Sequence, residues 1–352
     1  KTCFIRENAT YNLAKCMELA LYDGLDPMTG KQVGAHTGDP CSFATFEDLF
    51  AAYSTQVGHM FKKIRAYGSI SNKSLGDTVP TSFRSAMYHG CLQRGMHECQ
   101  GGADYYLYYT ISTAGVDAAN SLAALKYLVF DEKKVTMAQM LEALKANFEG
   151  FEELREMCLA APKHGNNDPE MNAIVRRVYD DAYRQFHANG SSFYGKHLSN
   201  CEAYSLSIHN YFGMLTGALP MGRCKGKPLT DASVSAMPGT DKNGPLALIA
   251  SAAKALDTVR YGSNHFNMKF HPSSLQGISG ARKLLALIKS YMDMGGSHIQ
   301  FNIVSTDTLR QAKAKPEDYK GLTVRVAGFS AYFTRLHEGV QDEIIARSEL
   351  TM

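Results

Sequence analysis

The sequence predicts an α/β fold in which helices alternate with parallel strands. The stretch 45–64 has apolar residues at helical spacing, and Thr45 with Asp48 forms the pattern of a capping box. Three later runs, which are apolar or alternate between apolar and polar residues, are predicted strands: 264–270, 298–305 and 322–328. Because alternating helices and strands favour parallel sheets covered by helices, we expect a single α/β domain.

Four further stretches have the spacing of helices. They are 120–148, which is predicted to form two helices with a break near Asp131, together with 250–259, 280–295 and 306–319. The segments between these elements are rich in glycine and polar residues and are predicted to be loops. Such loops carry the chemistry in α/β barrels, so the functional residues are expected there.

The composition excludes several classes of function. The chain has 352 residues, of which 45% are hydrophobic and 20% charged, and its net charge is +3. It has no basic run and no apolar stretch of membrane-spanning length, so neither a nucleic-acid partner nor a membrane partner is expected. The eight cysteines include no CxxC pair, and the twelve histidines are dispersed, so no metal site is predicted. Unpaired cysteines favour a cytoplasmic location.

A glycine near the end of the chain raises a specific question. Gly328 follows the predicted strand 322–328 and precedes Phe329 and Ser330, with no histidine, cysteine or carboxylate beside it. Glycine at such a place ordinarily marks a turn, a bulge or a close approach of the backbone. The glycine-bearing loops contain neither GxGxxG nor GxxxxGK[ST], so a phosphate cradle is not indicated.

Several stretches in a constant order give the sequence a resemblance to a known family. They are "NSLAALKYLVF", "GNNDP", "GRCKGKPLTDASVSAMPGTDKNGP", "NHFNMKF", "GGSHIQFNIVSTDTL", "RVAGFSAYF" and "QDEIIAR". Together they extend over nearly the whole chain, and they resemble the glycyl radical enzymes, which include pyruvate formate-lyase. The stretch "RVAGFSAYF" is similar to the signature around the glycine that carries the radical.

The resemblance implies a ten-stranded α/β barrel, of which this chain holds mainly the second half. Residues 1–297 would form the C-terminal part of the barrel domain, and residues 298–352 the glycine radical domain. Gly328 would store the radical at the tip of a loop that follows a strand, buried inside the barrel away from oxygen and water. The neighbouring residues of this radical loop would be Arg325, Val326, Ala327, Phe329 and Ser330.

The resemblance also implies the cofactor and the partners. The cofactor would be the glycyl radical itself, a modification of Gly328, with no metal bound in this chain. A separate activating enzyme, which carries a [4Fe–4S] cluster and S-adenosylmethionine, would generate it. The other expected partners are a small organic substrate and a second copy of the chain in a homodimer.

The catalytic cysteine of the family has no clear match in this chain. The sequence "NLAK" at 12–15 is similar to the end of the family's cysteine loop, and this alignment puts the cysteine upstream of Lys1. Cys3 is the alternative within the chain, although Thr2 and Phe4 do not resemble the cysteine motif.

The N-terminal segment is expected to line the substrate pocket, as the corresponding segment does in the family. It offers Arg6, Glu7 and Thr10. An arginine can hold a carboxylate through two parallel hydrogen bonds, which would suit a fumarate-adding or acid-decarboxylating enzyme. The alternative is that Arg6 forms an ordinary salt bridge.

The resemblance implies anaerobic cleavage or formation of a C–C, C–O, C–N or C–S bond. The closest likeness is to the branch of lyases with dehydratases, decarboxylases and fumarate-adding enzymes. One alternative is formate C-acetyltransferase activity, that of pyruvate formate-lyase itself. Another is a subunit that supplies Gly328 to a partner carrying the cysteine. A binding protein without activity is disfavoured because the radical motif is intact.

Overall fold

The computed structural model describes most of the chain. It covers residues 3–79, 81–189, 197–262 and 264–351, and it describes their side chains except at residues 3–8, 108 and 197–200. The strands within these residues are β1 (Cys3–Asn12), β2 (Leu25–Asp26), β3 (Lys31–Gln32), β4 (Tyr105–Thr113), β5 (His197–Ala203), β6 (Asn267–Phe270), β7 (Gln300–Ile303), β8 (Thr323–Arg325), β9 (Ser330–Tyr332) and β10 (Glu349–Leu350).

Helices make up most of the remaining regular structure. They are α1 (Leu13–Ala20), α2 (Phe46–Thr78), α3 (Ser82–Ser85), α4 (Cys91–Arg94), α5 (Gly115–Leu125), α6 (Met137–Lys145), α7 (Glu152–Ala160), α8 (Pro169–Ala188), α9 (Ile208–Met214), α10 (Gly244–Ala255), α11 (Gly277–Asp293), α12 (Thr306–Ala314) and α13 (Glu338–Ala346). None of the helices in the described part of the chain combines the length and the apolar character that a membrane crossing requires.

The main strands are parallel, as the sequence predicts. The order β1-β4-β5 forms one sheet, and β6 pairs in parallel with both β7 and β10. A single parallel bridge between Ala203 and Asn264 joins the two sheets. The strands therefore follow one another as β1-β4-β5-β6-β7, an open wall in the described residues rather than a closed barrel.

The sequence did not predict three strands of this wall: β1, β4 and β5. The segments of β1 and β5 carry polar and charged residues at many positions, and neither shows the alternation that marks a half-buried strand. The segment of β4 begins in a stretch that was predicted to be a loop. Their pairing with one another, and not their local sequence, makes these segments strands.

The predicted helices are present, although several of their boundaries differ from the prediction. Thr45 caps α2, since its hydroxyl accepts from the Asp48 amide at 3.2 Å and the Asp48 carboxylate accepts from the Thr45 amide at 2.9 Å. The helix continues to Thr78, well beyond the predicted stretch. The break predicted near Asp131 is present, because a π-helical turn follows α5 and ends at that residue before α6 begins.

The main core surrounds α5, all of whose residues are buried, with α1 and α8 packed against it. At Gly115 the backbone lies so close to Tyr179 that an added Cβ would stand 2.5 Å from the tyrosine ring, so only glycine fits there. The Tyr179 hydroxyl donates to the Ser233 carbonyl at 2.5 Å. This bond ties the core to the loop that contacts the functional site.

The last predicted strand does not join the parallel wall, which corrects the prediction for 322–328. The chain turns back directly after β8, so β8 pairs with β9 in an antiparallel hairpin. The hairpin packs on its own hydrophobic cluster, formed with α12 and α13, whose buried members are Val304, Leu309, Ala312, Val324, Val326, Phe333 and Ile344. A two-stranded hairpin is marginally stable alone, so this cluster is needed to support it.

Candidate active site

Gly328 lies at the tip of the hairpin formed by β8 and β9, which we call the glycine hairpin. Residues 326–329 form its turn, in which the Val326 amide donates to the Phe329 carbonyl at 2.9 Å. Gly328 is the third residue of this turn and has a φ of +91°. A positive φ at this position favours glycine over residues with a side chain. The glycine is therefore required by the local backbone before any chemistry is considered.

The residues of the predicted radical loop divide into a buried and an exposed group. Val326 and Ala327 are completely buried. Arg325, Phe329 and Ser330 are exposed, and so is Gly328. The prediction that Gly328 is buried inside a barrel is therefore wrong for the residues that the structure describes. The physical reason is that the parallel strands form an open wall, so nothing in the described chain covers the tip of the hairpin.

One side of Gly328 is occupied by the imidazole of His265. A Cβ added to the glycine would lie 2.8 Å from Cε1 of this ring and 3.4 Å from its Nδ1. The ring stacks on Tyr204 with a centroid distance of 4.8 Å, and on His298 with a centroid distance of 4.7 Å. His265 is thus held between two rings with one edge against the glycine.

The backbone of His265 is fixed by the loop that the core holds in place. Its amide donates to the Ser233 hydroxyl at 3.0 Å, and its carbonyl accepts from the amides of Ser233 and Val234 at 3.1 and 3.2 Å. Burial, and then the nearby His298, lower the pKa of His265 to about 4. Burial, and then Arg325, also lower the pKa of His298. Both imidazoles are therefore neutral near pH 7.

Three side chains hold the backbone of the hairpin just before the turn. Asn302 of β7 pairs with both backbone groups of Arg325, since its Nδ2 donates to the carbonyl and its Oδ1 accepts from the amide, each at 2.8 Å. Asn267 of β6 donates to the Val326 carbonyl at 3.0 Å. Arg347 donates to the same Val326 carbonyl at 2.8 Å and to that of Arg325 at 3.1 Å. We call these three side chains the carbonyl clamp.

The clamp is anchored in a buried ionic network. The Arg347 guanidinium meets the Glu343 carboxylate through two bonds of 2.8 and 2.9 Å, and it lies 3.5 Å from Asp231. The Nε2 atom of His209 lies 3.5 Å from Oε2 of Glu343, and Asn267 donates to Asp231 at 2.6 Å. A buried guanidinium with a bidentate carboxylate partner is held in a defined orientation.

The two carboxylates of this network respond differently to burial. Burial would raise the pKa of Glu343, but Arg347 and His209 overcome this effect and lower it to about 2. Asp231 is farther from the guanidinium, and burial raises its pKa in spite of Arg347. Glu343 is therefore the permanent counter-ion of Arg347.

The residues predicted for the substrate pocket are only partly described. Thr10 lies half-buried on β1, where it pairs with Ile111 of β4. The side chains of Arg6 and Glu7 lie outside those that the structure describes, and so does the thiol of Cys3. That these residues face the Gly328 loop therefore stays a prediction.

The buried cysteines of the main core have structural surroundings. Cys16, Cys158 and Cys201 belong to this core, and burial raises the pKa of the first two to about 12 and that of Cys201 to about 11. The Cys201 thiol contacts the Ser112 hydroxyl at 3.0 Å. These thiols pack as small apolar groups. The described residues contain no group of three or more histidine, cysteine or carboxylate side chains placed to hold a metal ion.

Sequence patterns do not single out four residues of this site individually: His265, Asn267, Asn302 and Arg347. A signal was available, because the two asparagines lie in short predicted strands beside Met, Phe and Ile, and a buried polar residue in such a strand needs a hydrogen-bond partner. Arg347 follows Glu343 at the helical spacing of an ion pair. The residues also lie in stretches that carry the family resemblance, but the resemblance alone does not say what each side chain contacts.

Replacement of Arg347 by Met should destabilise the protein by about 3–5 kcal/mol, because it leaves buried Glu343 without its counter-ion. The amides of the glycine hairpin should then exchange with solvent much faster. Urea denaturation and hydrogen exchange measure the two effects. Arg310 provides the control, since it forms an exposed pair with Asp307 at 3.5 Å, and Arg310→Met should cost less than about 1 kcal/mol. Equal losses in both variants would contradict the role of the network.

The stability of the protein should fall as the pH is lowered from about 6.5 to about 4. His265 has a folded-state pKa of about 4 against an ordinary value of 6.5, so the unfolded chain binds more protons in this window. With its partial exposure taken into account, His265 should contribute on the order of 1–2 kcal/mol to this fall in the free energy of unfolding. Urea denaturation of wild type and His265→Asn across this range measures it. Between pH 8 and pH 4 the free energy of unfolding should fall less in His265→Asn than in wild type. An equal fall in both proteins would contradict the lowered pKa of His265.

Two family profiles match the chain. The sequence profile of a family described as pyruvate formate lyase-like matches residues 1–213. A second profile, described as glycine radical, matches residues 230–334 and includes the glycine hairpin.

Curated relatives match almost the whole chain. The trans-4-hydroxy-L-proline dehydratase of Clostridioides difficile is 37% identical over 97% of this chain and 43% of its own length. The indoleacetate decarboxylase of Tractidigestivibacter scatoligenes is 36% identical over 98% of this chain and 41% of its own length. The chain thus spans less than half the length of these relatives.

Solved structures of glycyl radical enzymes have the same fold. The hydroxyproline dehydratase of Clostridioides difficile superposes with a TM-score of 0.93 at 35% identity, covering 97% of this chain and 43% of that one. The B12-independent glycerol dehydratase of Clostridium butyricum gives a TM-score of 0.93 at 34% identity, covering 99% of this chain and 44% of that one. The predicted fold class is therefore confirmed, and the chain belongs to the pyruvate formate lyase-like family of glycyl radical enzymes.

Proposed function

We propose that Gly328 stores a glycyl radical for an anaerobic lyase of small organic substrates. The observation that carries the proposal is the glycine hairpin itself. Its tip has a backbone conformation that favours glycine, its stem is held by the carbonyl clamp, and its sequence falls within the match to the glycine radical profile. A turn that needs only a connecting glycine does not require such an anchored stem.

Glycine suits this role for a physical reason. An unpaired electron on its Cα is delocalised into the amide nitrogen on one side and the carbonyl on the other, which requires a planar carbon. Without a side chain this carbon becomes planar with little steric resistance. The exposed tip is accessible in the described chain, and the proposed first step is removal of one α-hydrogen by a separate activating enzyme with a [4Fe–4S] cluster and S-adenosylmethionine.

The proposed second step is the transfer of a hydrogen atom from a cysteine thiol to Gly328. It restores the glycine and leaves the unpaired electron on sulfur, which then attacks the substrate. The thiol would lie upstream of Lys1 in the natural polypeptide, with Cys3 as the alternative. A partner chain that carries the thiol is the remaining possibility, and purification of an active natural polypeptide without such a partner would exclude it.

The reaction class is proposed from the relatives. Their names describe loss of water from hydroxyproline and decarboxylation of indoleacetate, and one further relative is an isethionate sulfite-lyase from Nitratidesulfovibrio vulgaris. We infer that the natural polypeptide carrying this sequence is likewise a lyase of the dehydratase and decarboxylase branch. Formate C-acetyltransferase activity is the alternative.

The proposal extends to the organisation of the protein. A domain boundary near residue 298 is supported by the separate hydrophobic cluster, whose buried members lie between Val304 and Ile344. A cytoplasmic location is supported by the cysteines that the structure describes, since none of them forms a disulfide. A homodimer is part of the proposal and is tested by measuring the molar mass of the natural polypeptide in solution.

Anaerobic activation of the natural polypeptide should give an electron paramagnetic resonance doublet, split by the α-hydrogen that remains on Gly328. Exposure to air should then break the backbone at this residue, giving a large fragment that lacks residues 329–352. Gly328→Ala should show neither the signal nor the break, because the methyl group meets His265. Spectroscopy, gel electrophoresis and mass spectrometry measure these outcomes.

Gly339→Ala is the matched control for this experiment. Gly339 lies in α13 near the hairpin, and an added Cβ there meets its nearest neighbour at an ordinary distance of 3.5 Å. This variant should keep both the radical and the cleavage at residue 328. An activated wild type that shows the radical but stays full length in air would contradict storage on Gly328.

The reaction class and the pocket can be tested together on the activated natural polypeptide. Incubation with hydroxy acids, diols, arylacetates and pyruvate plus coenzyme A, followed by product analysis, should show elimination or decarboxylation. If the substrate is a carboxylate, Arg6→Lys should raise its KM about tenfold or more, since a lysine cannot replace a bidentate contact. Conversion of pyruvate would instead establish the acetyltransferase alternative, and an unchanged KM would remove Arg6 from the pocket.

A further inference from the structure

We propose that His265 is a positioning residue for Gly328, and that its clamped imidazole fixes the place of the glycine Cα. The inference rests on the proposed storage of the radical at Gly328. It adds a half-buried residue whose side chain contacts the proposed radical position and that local sequence alone does not distinguish from other histidines.

The first observation is the fit between the ring and the glycine. The imaginary Cβ of Gly328 would lie 2.8 Å from the Cε1 atom of His265, which is closer than carbon atoms approach in folded proteins. The ring therefore fills the space that a side chain would occupy. Two separate constraints therefore favour glycine at 328: its φ of +91° and the lack of space beside this ring.

The second observation is that the ring has little freedom to move away. Tyr204 and His298 stack on it with interplanar angles of 29° and 30°. Ser233 bonds both backbone groups of His265, and the Tyr179 hydroxyl holds the Ser233 carbonyl. A side chain fixed by stacking and by its own backbone can define the position of a neighbour to a fraction of an ångström.

The third observation concerns the polar atoms of the ring. The Nδ1 of His265 is buried and has no hydrogen-bond partner within the described residues. A buried nitrogen without a partner is unfavourable, so an apolar residue would be expected here if packing alone mattered. The nitrogen lies on the edge that faces Gly328, at 3.4 Å from the imaginary Cβ. The nitrogen without a partner thus lies beside the glycine turn.

The contact is tested with a double-mutant cycle on the unactivated natural polypeptide. Gly328→Ala is made alone and together with His265→Ala, and hydrogen exchange of the Val326 amide reports on the turn. The strain from the positive φ is the same in both backgrounds and cancels, so the coupling measures the steric contact. Gly328→Ala should accelerate exchange about tenfold more when His265 is present than when it is replaced.

Gly295 supplies the matched control for the backbone strain that alanine causes at a positive φ. Its φ is +95°, and an added Cβ would meet nothing within 4 Å. Gly295→Ala should therefore have the same effect with and without His265. Equal effects of Gly328→Ala in both backgrounds would overturn the proposed contact, and a folded His265→Asn variant serves if the alanine variants do not fold.

The functional part is tested on activated protein with turnover expressed per radical. His265→Asn keeps a polar atom near the Nδ1 position but removes the ring edge. If the ring positions Gly328, kcat per radical should fall about 10- to 100-fold with little change in KM, because hydrogen transfer depends on the placement of the reacting atoms. A residue with a purely structural role would lower the number of radicals formed and leave kcat per radical unchanged.

The outcomes separate this inference from the proposed function. Coupling in the cycle together with a lower kcat per radical supports the positioning role. Coupling without a change in kcat per radical would overturn the role and leave storage at Gly328 intact. Absence of any radical in activated wild type would overturn the proposed function, and with it the role of His265 in catalysis.

Discussion

The site depends on the hydrogen bonds that side chains make to the backbone of Arg325 and Val326. Among the strands that the structure describes, the glycine hairpin has no backbone ladder to the parallel wall, so its position is set by Asn302, Asn267 and Arg347. Arg347 is itself oriented by Glu343, with which it forms a bidentate pair. These contacts place the turn beside His265, so the glycine, its ring neighbour and the buried ionic network form one structural unit.

The hairpin differs from the rest of the fold in how it is held in place. The hairpin has its own hydrophobic cluster, while the carbonyl clamp joins it to the wall through polar contacts. The side chains that make these polar contacts are buried, and hydrogen bonds of defined geometry hold the hairpin in one orientation. An exposed glycine tip on an anchored stem is consistent with the proposed role, in which an activating enzyme reaches Gly328 and the glycine then exchanges a hydrogen atom with a thiol.

The sequence predicted the parts of the fold that local chemistry determines. The cap at Thr45, the break near Asp131 and a turn at Gly328 each follow from residues within a few positions of one another. The antiparallel pairing of β8 was not predicted, because a strand pattern does not say which partner the strand will find. His265 could not be assigned to Gly328 from the sequence, since 62 other positions separate them and only the packed structure brings their atoms into contact. The burial of Gly328 was inferred from a closed barrel, whereas the described strands form an open wall.

Isotopic labelling tests most directly whether the unpaired electron resides on a glycine. The natural polypeptide is produced with glycine deuterated at the α-carbon and is activated anaerobically in the same way as unlabelled protein. Because deuterium has a much smaller magnetic moment than hydrogen, the doublet of the unlabelled protein should narrow to an unresolved single line. A doublet with unchanged splitting in the labelled protein would show that the electron lies on another residue, and storage at Gly328 would then be wrong.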